Sequence, residues 1–118
     1  MEQWKNRGLF AKTLYSLNGL YKAFVTEKAI RHECVGVALA LALAVIKGCP
    51  PRERFLVLFA SAFPIVAELI NTAIERMIDT HCGPTYREEV RIQKDILSGA
   101  VFMSLIIGYG FCLVIIFM

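Results

Sequence analysis

A chain of 118 residues (13.2 kDa) that is 57% hydrophobic and 19% charged, with a mean hydropathy of +0.56, has too few polar residues to cover a water-facing surface; soluble domains run about 45–50% apolar and about 25% charged. That balance excludes disordered tails, coiled coils and disulfide-rich miniproteins, and the length allows one domain, 1–118. A formal net charge of +3 with no Lys/Arg run excludes nucleic acid as a partner.

In chain order, Phe10, Leu14, Leu17, Tyr21 and Phe24 recur at steps of three and four while Lys12, Asn18 and Lys22 take other faces. This predicts an amphipathic surface helix over 5–28. Next comes CVGVALALALAVI, thirteen apolar residues at 34–46. Polar residues flank it: Arg31, His32 and Glu33 before, Lys47 after. It reads as a short first span over 30–47 whose ends snorkel to the interfaces. A signal peptide is a poor fit, because more than thirty polar, structured-looking residues precede it. Pro50 and Pro51 then mark a tight turn.

Residues 55–74 contain one charge, Glu68, in a run of twenty, and residues 96–118 are 23 without any. Each can cross a hydrocarbon core of about 30 Å, which needs about 20 apolar residues. Spans two and three are therefore predicted over 55–78 and 95–118, with Gly83 and Pro84 breaking the chain between them. The cysteines Cys34, Cys49, Cys82 and Cys112 show no metal-ligand spacing and read as mostly buried thiols. The expected architecture is an all-α membrane protein, one surface helix plus three transmembrane helices.

Ten of the thirteen basic residues fall in 1–33 and 75–95, which three spans place on one side. The positive-inside rule makes that side cytoplasmic, with the N terminus inside and the C terminus outside. Nine of the ten carboxylates, all but Glu53, gather there too.

Glu68 is costly at membrane depth, by about 2.5–3.5 kcal/mol on insertion scales. At about 100° per residue, Asn71, Glu75 and Asp79 fall on the same face of span two within about 80°. This carboxylate ladder permits two readings. In one it is a structural seam, with Glu68 and Asn71 bonded to a neighbouring helix and Glu75 and Asp79 hydrated. In the other, carboxylates and an amide hold Mg²⁺ through oxygen while Glu68, stripped of water, serves as a general base. Glu27 and Arg31, four apart, have the spacing of a surface salt bridge; Glu33 stands near the start of span one, and Lys94 and Asp95 at the entrance to span three. Together these could surround the ladder with acids for a metal and bases for phosphate. No P-loop, GxGxxG, HExxH or GxSxG motif occurs. His32 and His81 are isolated.

The segments EKAIRHE, AELINTAIERMID and QKDILSGAV, in that order, resemble the small prokaryotic diacylglycerol kinase family, which includes undecaprenol kinases. The resemblance covers nearly the whole chain. It implies an integral-membrane homotrimer with composite sites, in the cytoplasmic (inner) membrane, that moves the γ-phosphoryl of MgATP to a lipid hydroxyl. By the same resemblance Glu68 is the base supported by Asn71, and Glu27 and Glu75 hold Mg²⁺. Tyr15, Glu27, Glu75, Tyr86, Lys94 and Asp95 contact the nucleotide; Arg31, Glu33, Glu68 and Ser98 line the lipid path. Glu33 is similar to the diacylglycerol form, and undecaprenol is the alternative substrate. Arg87 stands where the family has histidine, and Leu17 where it often has tryptophan. Two other readings of the ladder are a small proton-coupled transporter and a structural subunit in which Ser104-x3-Gly108 and Ala38-x3-Ala42 pack helices.

Overall fold

The computed structural model describes residues 8–118. Four helices follow one another: α1 Leu9–Thr26, α2 Lys28–Ile46, α3 Pro51–Cys82 and α4 Glu88–Phe117. Residues 5–7 of the expected surface helix lie outside the described residues. Three helices, α2 to α4, are long and apolar enough to cross a membrane. At 1.5 Å per residue α2 is about 28 Å long, close to the hydrocarbon thickness, while α3 and α4 exceed 40 Å. The surplus length of α3 and α4 is where hydropathy and structure differ. Both helices run well past their apolar segments, so the expected connection over 79–94 shrinks to the stretch between Cys82 and Glu88.

Local chemistry explains the boundaries. After α2, Gly48 takes the left-handed conformation at φ 78°. Gly48 N–H donates to Val45 O (3.0 Å) and Cys49 N–H to Ala44 O (3.0 Å), a Schellman closure. Pro51 opens α3 at its first turn, where a missing N–H costs nothing. Gly83, at φ 73°, ends α3 with its N–H on Asp79 O at 3.1 Å. The break between α1 and α2 contains neither proline nor glycine. Glu27 is extended there, at φ −111° and ψ 113°. Arg31 stabilises the break by donating through Nη1 to Phe24 O (2.8 Å) and Val25 O (2.7 Å), carbonyls left orphaned at the end of α1.

Contacts run chiefly from α3 to α4 and from α2 to α3, while α2 and α4 scarcely touch. The spans therefore form an open layer with α3 in the middle. On α4 the buried positions are Ser104, Gly108, Cys112 and Ile116, one stripe at steps of four. They face Val57, Ser61 and Pro64, all buried on α3. Cys112 Sγ donates to Val57 O at 3.5 Å. Pro64 lacks the N–H that would bond Ala60 O, yet α3 continues unbroken through it. Gly108 lies against this carbonyl; a Cβ there would come 2.5 Å from Ala60 O and 3.0 Å from Pro64 Cδ. Small residues thus allow close backbone approach, as membrane helix pairs require. The expected packing role of Ser104-x3-Gly108 is seen; Ala38 and Ala42 are exposed.

The outer faces are apolar and uncovered, including Phe55, Phe59, Phe102 and Phe111. On α1 nothing is buried, and its apolar stripe is open, with Phe10 77% and Tyr21 68% exposed. Surfaces of this kind are stable against lipid or further protein.

Gly108→Ala is expected to lower unfolding stability in detergent by about 1–3 kcal/mol, because the added methyl meets backbone. Gly110→Ala, whose Cβ would meet nothing within 4 Å, should leave stability unchanged or raise it by up to about 1 kcal/mol. Equal midpoints for the two variants would show that the close approach is not what holds α3 to α4.

Candidate active site

The polar residues gather where α2 begins, α3 ends and α4 begins, in three groups strung along α3. Deepest is the ladder. Asn71, only 9% exposed, donates through Nδ2 to Glu68 Oε2 (3.2 Å) and to Glu75 Oε1 (3.0 Å). One amide thereby holds two carboxylates a turn above and a turn below it, as the helical spacing dictates. The carboxyl of Glu33, on α2, neighbours that of Glu68. Glu33 Oε1 and Asn71 Oδ1 are both buried acceptors without a hydrogen-bond partner among the described residues. Such orphans are uncommon and mark a place where a donor or a cation is expected to bind.

Next to Glu75 in the chain, Arg76 of α3 crosses to the α1–α2 break. Its Nη2 donates to Thr26 Oγ1 at 2.7 Å and pairs with Glu27 Oε2. Glu27 therefore does not form the salt bridge with Arg31 that their spacing predicts. The i, i+4 relation needs a continuous helix, and Glu27 is extended while Arg31 turns back to cap α1.

Farthest out is a cleft of about 470 Å³ between the end of α3 and the start of α4, lined by Asp79, Tyr86, Arg87, Arg91, Lys94 and Asp95 among others. The volume is within the usual range of small-molecule sites, about 300–1,000 Å³. Asp79, the last rung of the ladder, turns to Lys94 Nζ at 2.7 Å, and this bond holds the ammonium above its ordinary range. Arg91 donates to Glu88 Oε2 (2.6 Å) and Asp95 Oδ2 (2.9 Å), and Tyr86 OH to Glu88 Oε1 (2.7 Å). Arg91 and then Tyr86 hold the Glu88 carboxyl below its ordinary range.

Of the expected nucleotide contacts, Tyr86, Lys94 and Asp95 meet in this cleft. Tyr15, Glu27 and Glu75 do not line it, nor does Ser98, expected on the lipid path. Arg31 is engaged with α1 carbonyls. Arg76 and Arg91 were not singled out from the sequence. Arg91 could have been, since Glu88 and Asp95 stand three and four residues from it; Arg76 carries no local signal, because its partners are 49 and 50 residues away.

Among the described residues, no three His, Cys, Asp or Glu side chains converge as a metal cage. The donor chemistry nevertheless suits Mg²⁺, which binds through one or two carboxylates plus substrate phosphates and water. Glu75 has a second oxygen beyond the one Asn71 holds, and Glu27 is tied to α3 through Arg76.

The sequence model of the prokaryotic diacylglycerol kinase family matches residues 14–117. The chain is 34% identical over 99 residues to the diacylglycerol kinase of Haemophilus influenzae, covering 84% of this chain and 83% of that one. It is 33% identical over 94 residues to that of Escherichia coli strain K12, covering 80% and 76%, and 33% identical over 104 residues to that of Synechocystis, covering 86% and 59%.

Asn71→Leu keeps the bulk and removes the donor, leaving Glu68 and Glu75 unbridged. It is expected to cost about 1–3 kcal/mol in detergent unfolding. An unchanged midpoint would mean that the bridge does not stabilise α3.

Proposed function

The chain belongs to the prokaryotic diacylglycerol kinase family, and from that membership we propose that it transfers the γ-phosphoryl of MgATP to diacylglycerol, forming phosphatidic acid at the cytoplasmic face of the inner membrane. The observation that carries the reading is the ladder: Glu68 at membrane depth, steadied by Asn71 and faced by Glu33, with basic groups around a cleft at the outer end of the same helix.

Glu68 accepts the proton of the lipid hydroxyl as its oxygen forms the new bond to the γ-phosphorus and the bond to the β-phosphate oxygen breaks. Asn71, donating to Glu68 Oε2, turns that carboxylate toward the hydroxyl. Glu75 and Glu27 would hold Mg²⁺, which when bound with ATP would supply neutralisation of phosphate charge. Lys94 and Asp95 in the cleft, with Tyr86 and with Tyr15 on α1, bind the nucleotide. Phosphoryl transfer depends mainly on positioning and charge neutralisation, so scattered side chains serve without a P-loop. Glu33, Arg31 and Ser98 border the lipid. The buried, unpaired Glu33 Oε1 favours a headgroup with polar atoms near the reacting hydroxyl, as diacylglycerol has, over undecaprenol. A trimer with shared sites agrees with the open apolar faces of the layer. The N terminus is cytoplasmic and the C terminus external. A proton-coupled transporter would have no use for a cleft that gathers Arg87, Arg91 and Lys94.

Glu68→Gln should lower turnover by about 10²–10⁴-fold, the usual worth of a general base, while the variant assembles and binds nucleotide as before. Phosphate incorporation into short-chain diacylglycerol and undecaprenol, measured side by side in mixed micelles, decides the substrate. Transfer to undecaprenol alone would replace diacylglycerol, and transfer to neither would end the kinase reading.

A further inference from the structure

Arg76 is a polar link between α3 and the α1–α2 break. Its guanidinium is held at two points, Thr26 Oγ1 at 2.7 Å and Glu27 Oε2. Thr26 is fixed in turn, since its hydroxyl donates to Lys22 O at 2.7 Å. The guanidinium thus stands on the carboxylate assigned to the divalent cation and is one residue from the second such carboxylate, Glu75. A carboxylate oxygen engaged by a guanidinium is a poorer metal ligand, because the cation must displace a charge-assisted bond before it can bind there.

We propose that Arg76 is an internal counter-ion for Glu27 that competes with the divalent cation for that carboxylate. The proposal rests on Glu27 being a metal ligand. Arg76 is a positioning residue. Without the metal it keeps the α1–α2 break docked on α3 with Glu27 neutralised, and arrival of the cation releases it. An internal competitor multiplies the apparent dissociation constant by one plus its own equilibrium constant. With the Arg76 side chain 54% exposed and that of Glu27 31% exposed, the pair is solvent-screened and favours closure by about five-fold at most. The effect is therefore a tuning of cation affinity, about two- to six-fold, and not a lock.

Mn²⁺ alone, added without nucleotide to the full chain in phosphatidylcholine nanodiscs and followed by electron paramagnetic resonance of the free ion, provides the test. Arg76→Gln should bind Mn²⁺ about two- to six-fold more tightly than the parent. Removing a positive charge would do the same through the general field, so Thr26→Val is the discriminating variant. It leaves every charge in place but loosens the guanidinium, and should give part of the same gain. An affinity in Arg76→Gln equal to or weaker than the parent, or Thr26→Val indistinguishable from the parent, overturns the proposal; the second arm stands even if Arg76→Gln fails to assemble. Glu27→Gln separates the premise from the inference. Weakened Mn²⁺ binding in that variant, with no gain from the other two, removes the role of Arg76 alone. Unchanged binding in Glu27→Gln removes Glu27 as a ligand and the proposal with it.

Discussion

A carboxylate on a membrane-crossing helix must find its partners inside the protein, and that constraint organises this molecule. Glu68 cannot be hydrated freely at its depth, so the helix carrying it has neighbours on both sides and supplies its own donor. Asn71 is that donor. Because it lies three residues after Glu68 and four before Glu75, a single amide reaches both, and the polar stripe becomes a connected unit. The central place of α3 in the layer follows, since only the middle helix can show one side to Glu33 of α2 and another to Lys94 of α4.

Central placement needs close approach, and small residues provide it. Pro64 leaves Ala60 O without its helical donor, and Gly108 fits against the carbonyl because it has no Cβ. At the opposite end Lys47 Nζ sits 4.9 Å from the centre of the Phe117 ring, joining the end of α2 to the end of α4. The same layer leaves large apolar faces bare, a feature that costs little in lipid. Every described side-chain carboxylate but Glu53 lies toward the other end, where the surplus length of α3 and α4 shapes the cleft.

Much of this was legible in the residue order. Three apolar runs, an amphipathic leader, and the one-sided distribution of charge follow from the periodicity of the helix and the thickness of a bilayer. The face shared by Glu68, Asn71 and Glu75 was equally legible, because 3.6 residues per turn places them together whatever surrounds the helix. Helix ends were less so. The break at Glu27 has no proline or glycine to announce it and depends on Arg31 folding back over the last carbonyls of α1. The extensions of α3 and α4 were hidden because hydropathy measures only the part of a helix that lipid touches.

Pairing across helices was decided by tertiary structure alone. By spacing, Glu27 belongs with Arg31 and Asp79 with the ladder; in the fold they meet Arg76 and Lys94 instead. Covalent geometry determines which side chains share a face of one helix. Which charges meet between helices depends on how far each has slid and rotated against its neighbour; for α3 and α4 the close approach of Gly108 to Pro64 and Ala60 fixes that relation far from the Asp79–Lys94 pair.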